Sequence, residues 1–294
     1  MNEEKRGDVR FGIATVDAIL PKDMAKRAEA IGFEKAAENA STLVTLAAMA
    51  GAYIAFGATF AATVSVGLEE AVSPGFERLI GGLAFSLAYV LAVVGGAELF
   101  TTNNMMVMAW AHGRLSTLGL LRAWGIVFAG NFIGAVATAA MLVLAGQYTD
   151  LSGGVGSSVL ETARELQQLG PVQALFLAIL GNTLLCLGVW LTYSARTTTD
   201  RILALTPPVV AFYAMGLEHA IAVMFYLPCA ELIQLFDTTG AATLASGSAL
   251  ELGVADFLAL LVPVTVGNIL GGGVLVALVY WFVYLRPGPR SEGG

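Results

Sequence analysis

Three ionisable side chains lie inside long apolar runs of this sequence: Glu98, Glu218 and His219. Such residues are expensive in hydrocarbon, and where they persist they face a bundle interior or a wet cavity. Glu98 sits in GGAELFTTNNM, residues 95–105, followed by Thr101, Thr102, Asn103 and Asn104; Glu218 and His219 sit in GLEHAIAVMF, residues 216–225. Histidine can donate, accept or carry a proton near neutral pH. Beside small hydroxyl and amide groups it suits hydrogen bonding to, or protonation of, a small solute. The other histidine, His112, falls where its apolar run meets water and reads as a surface residue. Cys186 and Cys229 are too few and too apolar in setting for a disulfide framework or a zinc site. No cofactor and no metal are expected. The sequence holds no HExxH and no GxSxG, which leaves an intramembrane enzyme without a reaction.

The elements that position these residues follow from composition. The 294 residues are 57% apolar and 13% charged, which excludes an ordinary soluble globule. Spanning a bilayer takes about twenty apolar residues per helix, and six runs qualify, near 43–67, 79–111, 122–146, 172–195, 205–228 and 257–285. The short alternating segments of a β-barrel are absent. The second run is overlong and holds the polar cluster; the fifth holds Glu218 and His219. An echo links the halves. Gly96-Ala-Glu98 is followed one span later by Gly130-Asn131, and Gly216-Leu-Glu218 by Gly267-Asn268. With three spans per half, the second half enters the membrane from the opposite side. This is an inverted repeat, an arrangement that places solute sites at the midplane between discontinuous helices. Non-helical backbone survives there only where protein or a wet cavity surrounds it. The broken ends turn helix N-termini and their amides toward the centre, which favours an anion.

Charge gives the orientation. Thirteen of the fifteen basic residues fall before residue 36, in the 2–3 and 4–5 loops, or after residue 285; the other loops hold only Arg78 and Arg164. The positive-inside rule then puts both termini in the cytoplasm. The domain plan is a cytoplasmic tail and amphipathic helix over 1–40, a pore domain over 41–286 with repeats about 41–146 and 170–286, and a cytoplasmic tail over 287–294. Residues 20–39 have Met24, Ala28 and Ile31 on one face, as a helix lying on the membrane surface or capping a pore would. No cleavable signal peptide is visible in the polar first forty residues.

GGAELFTTNNM, GLEHAIAVMF, VPVTVGNILGGGVLVALVYW, AILGNTLLCLGVW and AEAIGFEKA, in that family's order, closely resemble motifs of the formate/nitrite transporter family across about residues 20–286. The resemblance implies an all-α, six-helix, aquaporin-like protomer with broken second and fifth helices, assembled as a homopentamer with a pore in each protomer. It implies passage of formate, nitrite, hydrosulfide or related small monovalent anions, as a channel or with protons, in a prokaryotic-type inner membrane. By the same resemblance His219, Thr101 and Asn182 form the pore centre, and Phe85 and Phe212 belong to two apolar constrictions flanking it. Asn268 is a pore asparagine, with Asn131 its echo. Glu98, Glu218 and Thr102 serve the helix breaks. Two departures stand out. Tyr89 occupies a place where the family carries a leucine four residues after Phe85. The lysine the family carries at the entrance to the fourth span is missing, its register falling near Glu165 or Leu166.

The reading is therefore passage of a small weak-acid anion, with lactate and acetate also open as substrates. A neutral-solute pore of the water or glycerol type is the competitor, but its paired Asn-Pro-Ala breaks are missing. The N-terminal segment could also dock a cytoplasmic enzyme. No nucleic-acid partner is expected.

Overall fold

Helix starts are written into the sequence by short polar caps and prolines. The computed structural model describes residues 18–68, 71–237, 240, 250 and 253–286, all helix and connections with no strand among them. The tails that carry Lys5, Arg6, Arg10 and Arg290 lie outside these residues. Helix α1 (Pro21–Ala37) opens on a proline at its first turn. In α2 (Ala40–Ser65), the Asn39 side chain accepts from the Thr42 amide at 2.9 Å. Helix α3 (Pro74–Gly95) is followed by a break and then by two short helices, α4 (Phe100–Asn103) and α5 (Val107–Ala111), joined by a 3₁₀ turn. After these come α6 (Thr117–Leu144), α7 (Gly154–Gln168) and α8 (Pro171–Thr192). The fifth crossing is divided into α9 (Thr198–Ala214) and α10 (Ala220–Phe236), and α11 (Val254–Tyr284) completes the six.

Five of these helices are singly long and apolar enough to cross a membrane, and the α9–α10 pair makes the sixth crossing. Each repeat packs its first span against its broken and its third: α2 against α3 and α6, α8 against α9 and α11. With no hydrophobic drive between helices in lipid, small residues allow the close approach. Ala47, Ala50, Ala55 and Ala58 of α2 are fully buried in these contacts. In α11 the residues Ile269–Leu278 form a π-helical stretch.

Two differences from the sequence reading concern length and a loop. The helices of the fifth crossing run over 198–236 rather than 205–228, because α9 opens on the polar Thr197–Asp200 capping box ahead of the apolar run and α10 continues past it to Phe236. Residues 154–168 are the amphipathic helix α7, whose Val155, Val159, Leu160, Ala163 and Leu166 are buried. Its mixed composition hides it from a search for apolar runs, although its spacing is helical. Helix α1 packs on α5, the 3₁₀ turn and α6, so it closes the underside of the first broken helix.

Candidate functional site

Both breaks are built to one plan. Helices α3 and α9 each end at a glycine in the left-handed region, Gly96 at φ 80° and Gly216 at φ 63°. A side chain there would be strained. Two residues on, a carboxylate follows, and two further on the chain resumes as helix at Phe100 or Ala220. One buried asparagine satisfies each break. Asn131 accepts from the Phe100 amide at 2.8 Å and donates to the carbonyls of Glu98 and Ala47, both at 2.8 Å. Asn268 accepts from the Ala220 amide at 2.9 Å and donates to the carbonyls of Glu218 at 3.3 Å and Ala178 at 3.0 Å. The Gly-Asn echo in the sequence is thus a pair of equivalent braces, each tying a break to the first span of its own repeat.

The centre lies between the two resumed helices, which touch there. His219 is the N-cap of α10 and is fully buried. Its Nδ1 accepts from the Ala222 amide at 3.3 Å, so the neutral ring carries its proton on Nε2. That Nε2 and the Thr101 hydroxyl have no satisfied hydrogen bond among the described residues. Tyr89, also fully buried, meets His219 edge-on with ring centroids 6.1 Å apart. Asn182 is buried beside them, but its amide nitrogen is committed to the Asn268 carbonyl at 2.7 Å and the Thr101 carbonyl at 3.1 Å. Its role in the structure is to hold Thr101 in position. Cys186 points its thiol at the same Thr101 carbonyl, 3.4 Å away. Helix α11 can approach this closely because Gly272 lacks a side chain; a Cβ there would collide with the Asn182 amide and the Cys186 sulfur.

Two cavities reach toward the centre from opposite faces. One, of about 140 Å³, is lined by Arg27, Lys35, Glu98, Leu99, Thr102 and Arg201. The other, of about 330 Å³, is lined by Glu77, Arg78, Glu161, Glu165 and Glu218 and floored by Phe85 and Phe212. Tyr89, Thr101 and His219 line neither, so the polar centre is sealed from both. Phe85 and Phe212, expected in separate constrictions, instead stack on one another at 6.2 Å and 25°, both against His219 at 5.9 and 5.3 Å. They form one aromatic layer on the α7 side. On the α1 side the fully buried Leu99 lines the other cavity.

Sequence reasoning missed the partner of Glu98. Lys35 reaches from α1 to donate to the Glu98 carboxylate at 3.0 Å and to the Asn103 side-chain oxygen Oδ1 at 3.2 Å, while the Asn103 side-chain nitrogen Nδ2 donates to the same carboxylate at 2.8 Å. The signal was present in the helical spacing, since Met24, Ala28, Ile31 and Lys35 share one stripe. Thr102 bonds its hydroxyl back to the Leu99 carbonyl at 3.1 Å and stays within the break. On the opposite face Leu166, one of the two candidate registers of the missing lysine, is buried, and Arg78 is the base that lines the cavity instead.

The family model for formate/nitrite transporters matches residues 22–282. The chain belongs to the formate/nitrite transporter family. It is 40% identical over 275 residues to the formate channel FocA of Escherichia coli (strain K12), covering 92% of this chain and 96% of that one. It is 33% identical over 281 residues to a probable formate transporter of Methanothermobacter thermautotrophicus, covering 90% and 97%. Among solved structures, a pentameric formate channel with formate bound superposes with a TM-score of 0.77 at 35% identity, covering 84% of this chain and 98% of that one. Family membership makes this an integral membrane transport protein of six helices in an inverted repeat, rather than an enzyme.

Proposed function

We propose that the chain passes formate, and small monovalent weak-acid anions like it, through a pore in each protomer of a homopentamer in the cytoplasmic membrane. The observation that carries this is the sealed centre where the His219 Nε2 proton and the Thr101 hydroxyl lack a satisfied hydrogen bond among the described residues. Two donors of this kind match the acceptor oxygens of a carboxylate-like anion. The relatives named as formate channels, and the pentameric one with formate bound, support the same substrate and assembly.

The barrier is the aromatic layer of Phe85 and Phe212, because a bare anion loses its hydration there. Hydrogen bonds from Thr101 and His219 replace part of that hydration at the centre. If His219 first takes up a second proton and becomes an imidazolium, it can pass that proton to the anion and return to its neutral form, and the resulting neutral acid crosses the layer without this penalty. If the acid hands the same proton back to His219 after crossing, no net proton moves and the protein is a channel; if His219 is reprotonated from the side the anion entered, proton and anion cross together and it is a symporter. Asn131, Asn268, Glu98 and Glu218 hold the breaks, and Asn182 fixes Thr101. Charge sorting along the loops assigns the α1 cavity to the cytoplasm. In the α7 cavity Arg78 is the base among the lining residues, outnumbered by Glu77, Glu161, Glu165 and Glu218. Nitrite, like formate a small two-oxygen anion, is a second substrate of the same centre, and α1 is the surface on which a cytoplasmic enzyme would dock.

Proteoliposomes loaded with a panel of formate, nitrite, hydrosulfide, lactate, acetate and glycerol, with and without a pH gradient, test this reading. The expected result is formate flux that responds to pH and drops sharply in His219→Asn. Glycerol flux without formate flux would overturn it, and an unaltered pH response in His219→Asn would remove the histidine from the mechanism.

A further inference from the structure

Tyr89 is one of five side chains, with Thr101, Asn104, His219 and Trp281, that hold a buried polar atom without a satisfied hydrogen bond among the described residues. Its hydroxyl is fully buried. Its hydrogen-bonding neighbour is the Thr101 hydroxyl, too loosely placed to satisfy either group, and its ring meets His219 edge-on at 82°. A buried hydroxyl without a partner is unfavourable by about 1–3 kcal/mol, and native structures hold few of them. Here the hydroxyls of Tyr89 and Thr101 and the ring nitrogen of His219 come together in one place. Tyr89 does not line either cavity, so the hydroxyl is not there to wet a mouth.

We propose that the Tyr89 hydroxyl is a third hydrogen-bond donor of the central site and selects planar two-oxygen anions over anions that are poor acceptors. A carboxylate has two oxygens and about four lone-pair sites, enough for donors from Tyr89, Thr101 and His219 together. Hydrosulfide offers only a weakly accepting sulfur and leaves the third donor unpaired. A site that hydrogen-bonds its substrate discriminates against solutes that cannot reciprocate. The inference rests on the reading that an anion passes this centre, and it adds the residue that sets which anion.

The test compares formate and hydrosulfide flux in proteoliposomes of the full chain carrying Tyr89→Phe or Tyr89→Leu. The expected result is a formate-to-hydrosulfide flux ratio about tenfold lower in both, the size of one charge-assisted hydrogen bond. Purified Tyr89→Phe should melt no lower than wild type without anion, since it only removes an unpaired hydroxyl. Its rise in Tm on adding formate should be smaller than that of wild type. An unchanged flux ratio with wild-type formate flux intact overturns the inference and leaves the proposed function standing. So does a lower Tm without anion combined with an undiminished rise with formate, because the hydroxyl then holds a structural partner. Absence of anion flux in wild type removes both.

Discussion

The two helix breaks share a scaffold and differ in what they hold. Gly96 and Gly216, Glu98 and Glu218, Asn131 and Asn268 occupy equivalent positions with equivalent hydrogen bonds. Between carboxylate and resumed helix, however, the first break places Leu99 and the second His219. One residue into the resumed helix the difference reverses, with Thr101 in the first and Ile221 in the second. Asn182 has Gly51 as its counterpart four residues after the braced carbonyl. The repeat supplies a way to hold two helix ends apart in lipid. The chemistry comes from breaking that symmetry, with each half contributing one polar group and one apolar group to the same centre.

The largest test makes the breaks alike. His219→Leu copies the first break into the second and should lower formate flux about a hundredfold, the scale of a lost proton-transfer group; proteoliposome flux measures it. Next come the braces. Asn131→Leu and Asn268→Leu each leave a buried amide and carbonyl unpaired and should destabilise by about 2–4 kcal/mol. Thermal melts in detergent should show the two losses to be similar, and a loss at one site alone would break the equivalence. A smaller effect separates the breaks again. Lys35→Met frees the Glu98 carboxylate and should lose about 1–2 kcal/mol, reduced by the partial exposure of the lysine. Glu218 has no ion pair among the described residues, so no single cation substitution should do the same on the second side.

The smallest effect lies at the helices that lead into the breaks. Helix α9 starts with a capping box in which the Thr197 amide donates to the Asp200 carboxylate at 3.0 Å and the Asp200 amide to the Thr197 hydroxyl at 3.1 Å. Ser73, at the start of α3, caps nothing through its side chain. The bond from the Thr197 amide, with help from its hydroxyl, holds the Asp200 carboxyl below its ordinary value. A depressed carboxyl contributes stability above the unfolded value, and the contribution fades as pH falls through the folded one. Melts of wild type and Asp200→Asn should therefore differ slightly at neutral pH and converge in acid.

Much of this could be read from residue types, for physical reasons. A carboxylate or a left-handed glycine inside an apolar run is too unfavourable in lipid to be incidental, so both breaks and both braces showed in the letters. The candidate pore centre was named through motif resemblance alone, and the structure adds that Asn182 bonds the Thr101 carbonyl. Helix α7 escaped because a half-polar helix has no apolar run. The Lys35–Glu98 pair escaped because the partners are 63 residues apart and meet only once α1 folds under the bundle. Phe85 and Phe212 are far apart in sequence and in different helices, and only the packing of α3 on α9 reveals that they make a single layer.

The linings of the two cavities carry a consequence for current rather than for chemistry. Three bases and one carboxylate face the α1 side; one base and four carboxylates face the α7 side. Such a contrast enriches a mobile anion at one mouth and depletes it at the other within a Debye length, about 10 Å at 0.1 M salt. A pore with such mouths is expected to rectify. Equal and opposite formate gradients should drive unequal initial rates, faster from the α1 side, and the two rates should approach each other as ionic strength rises.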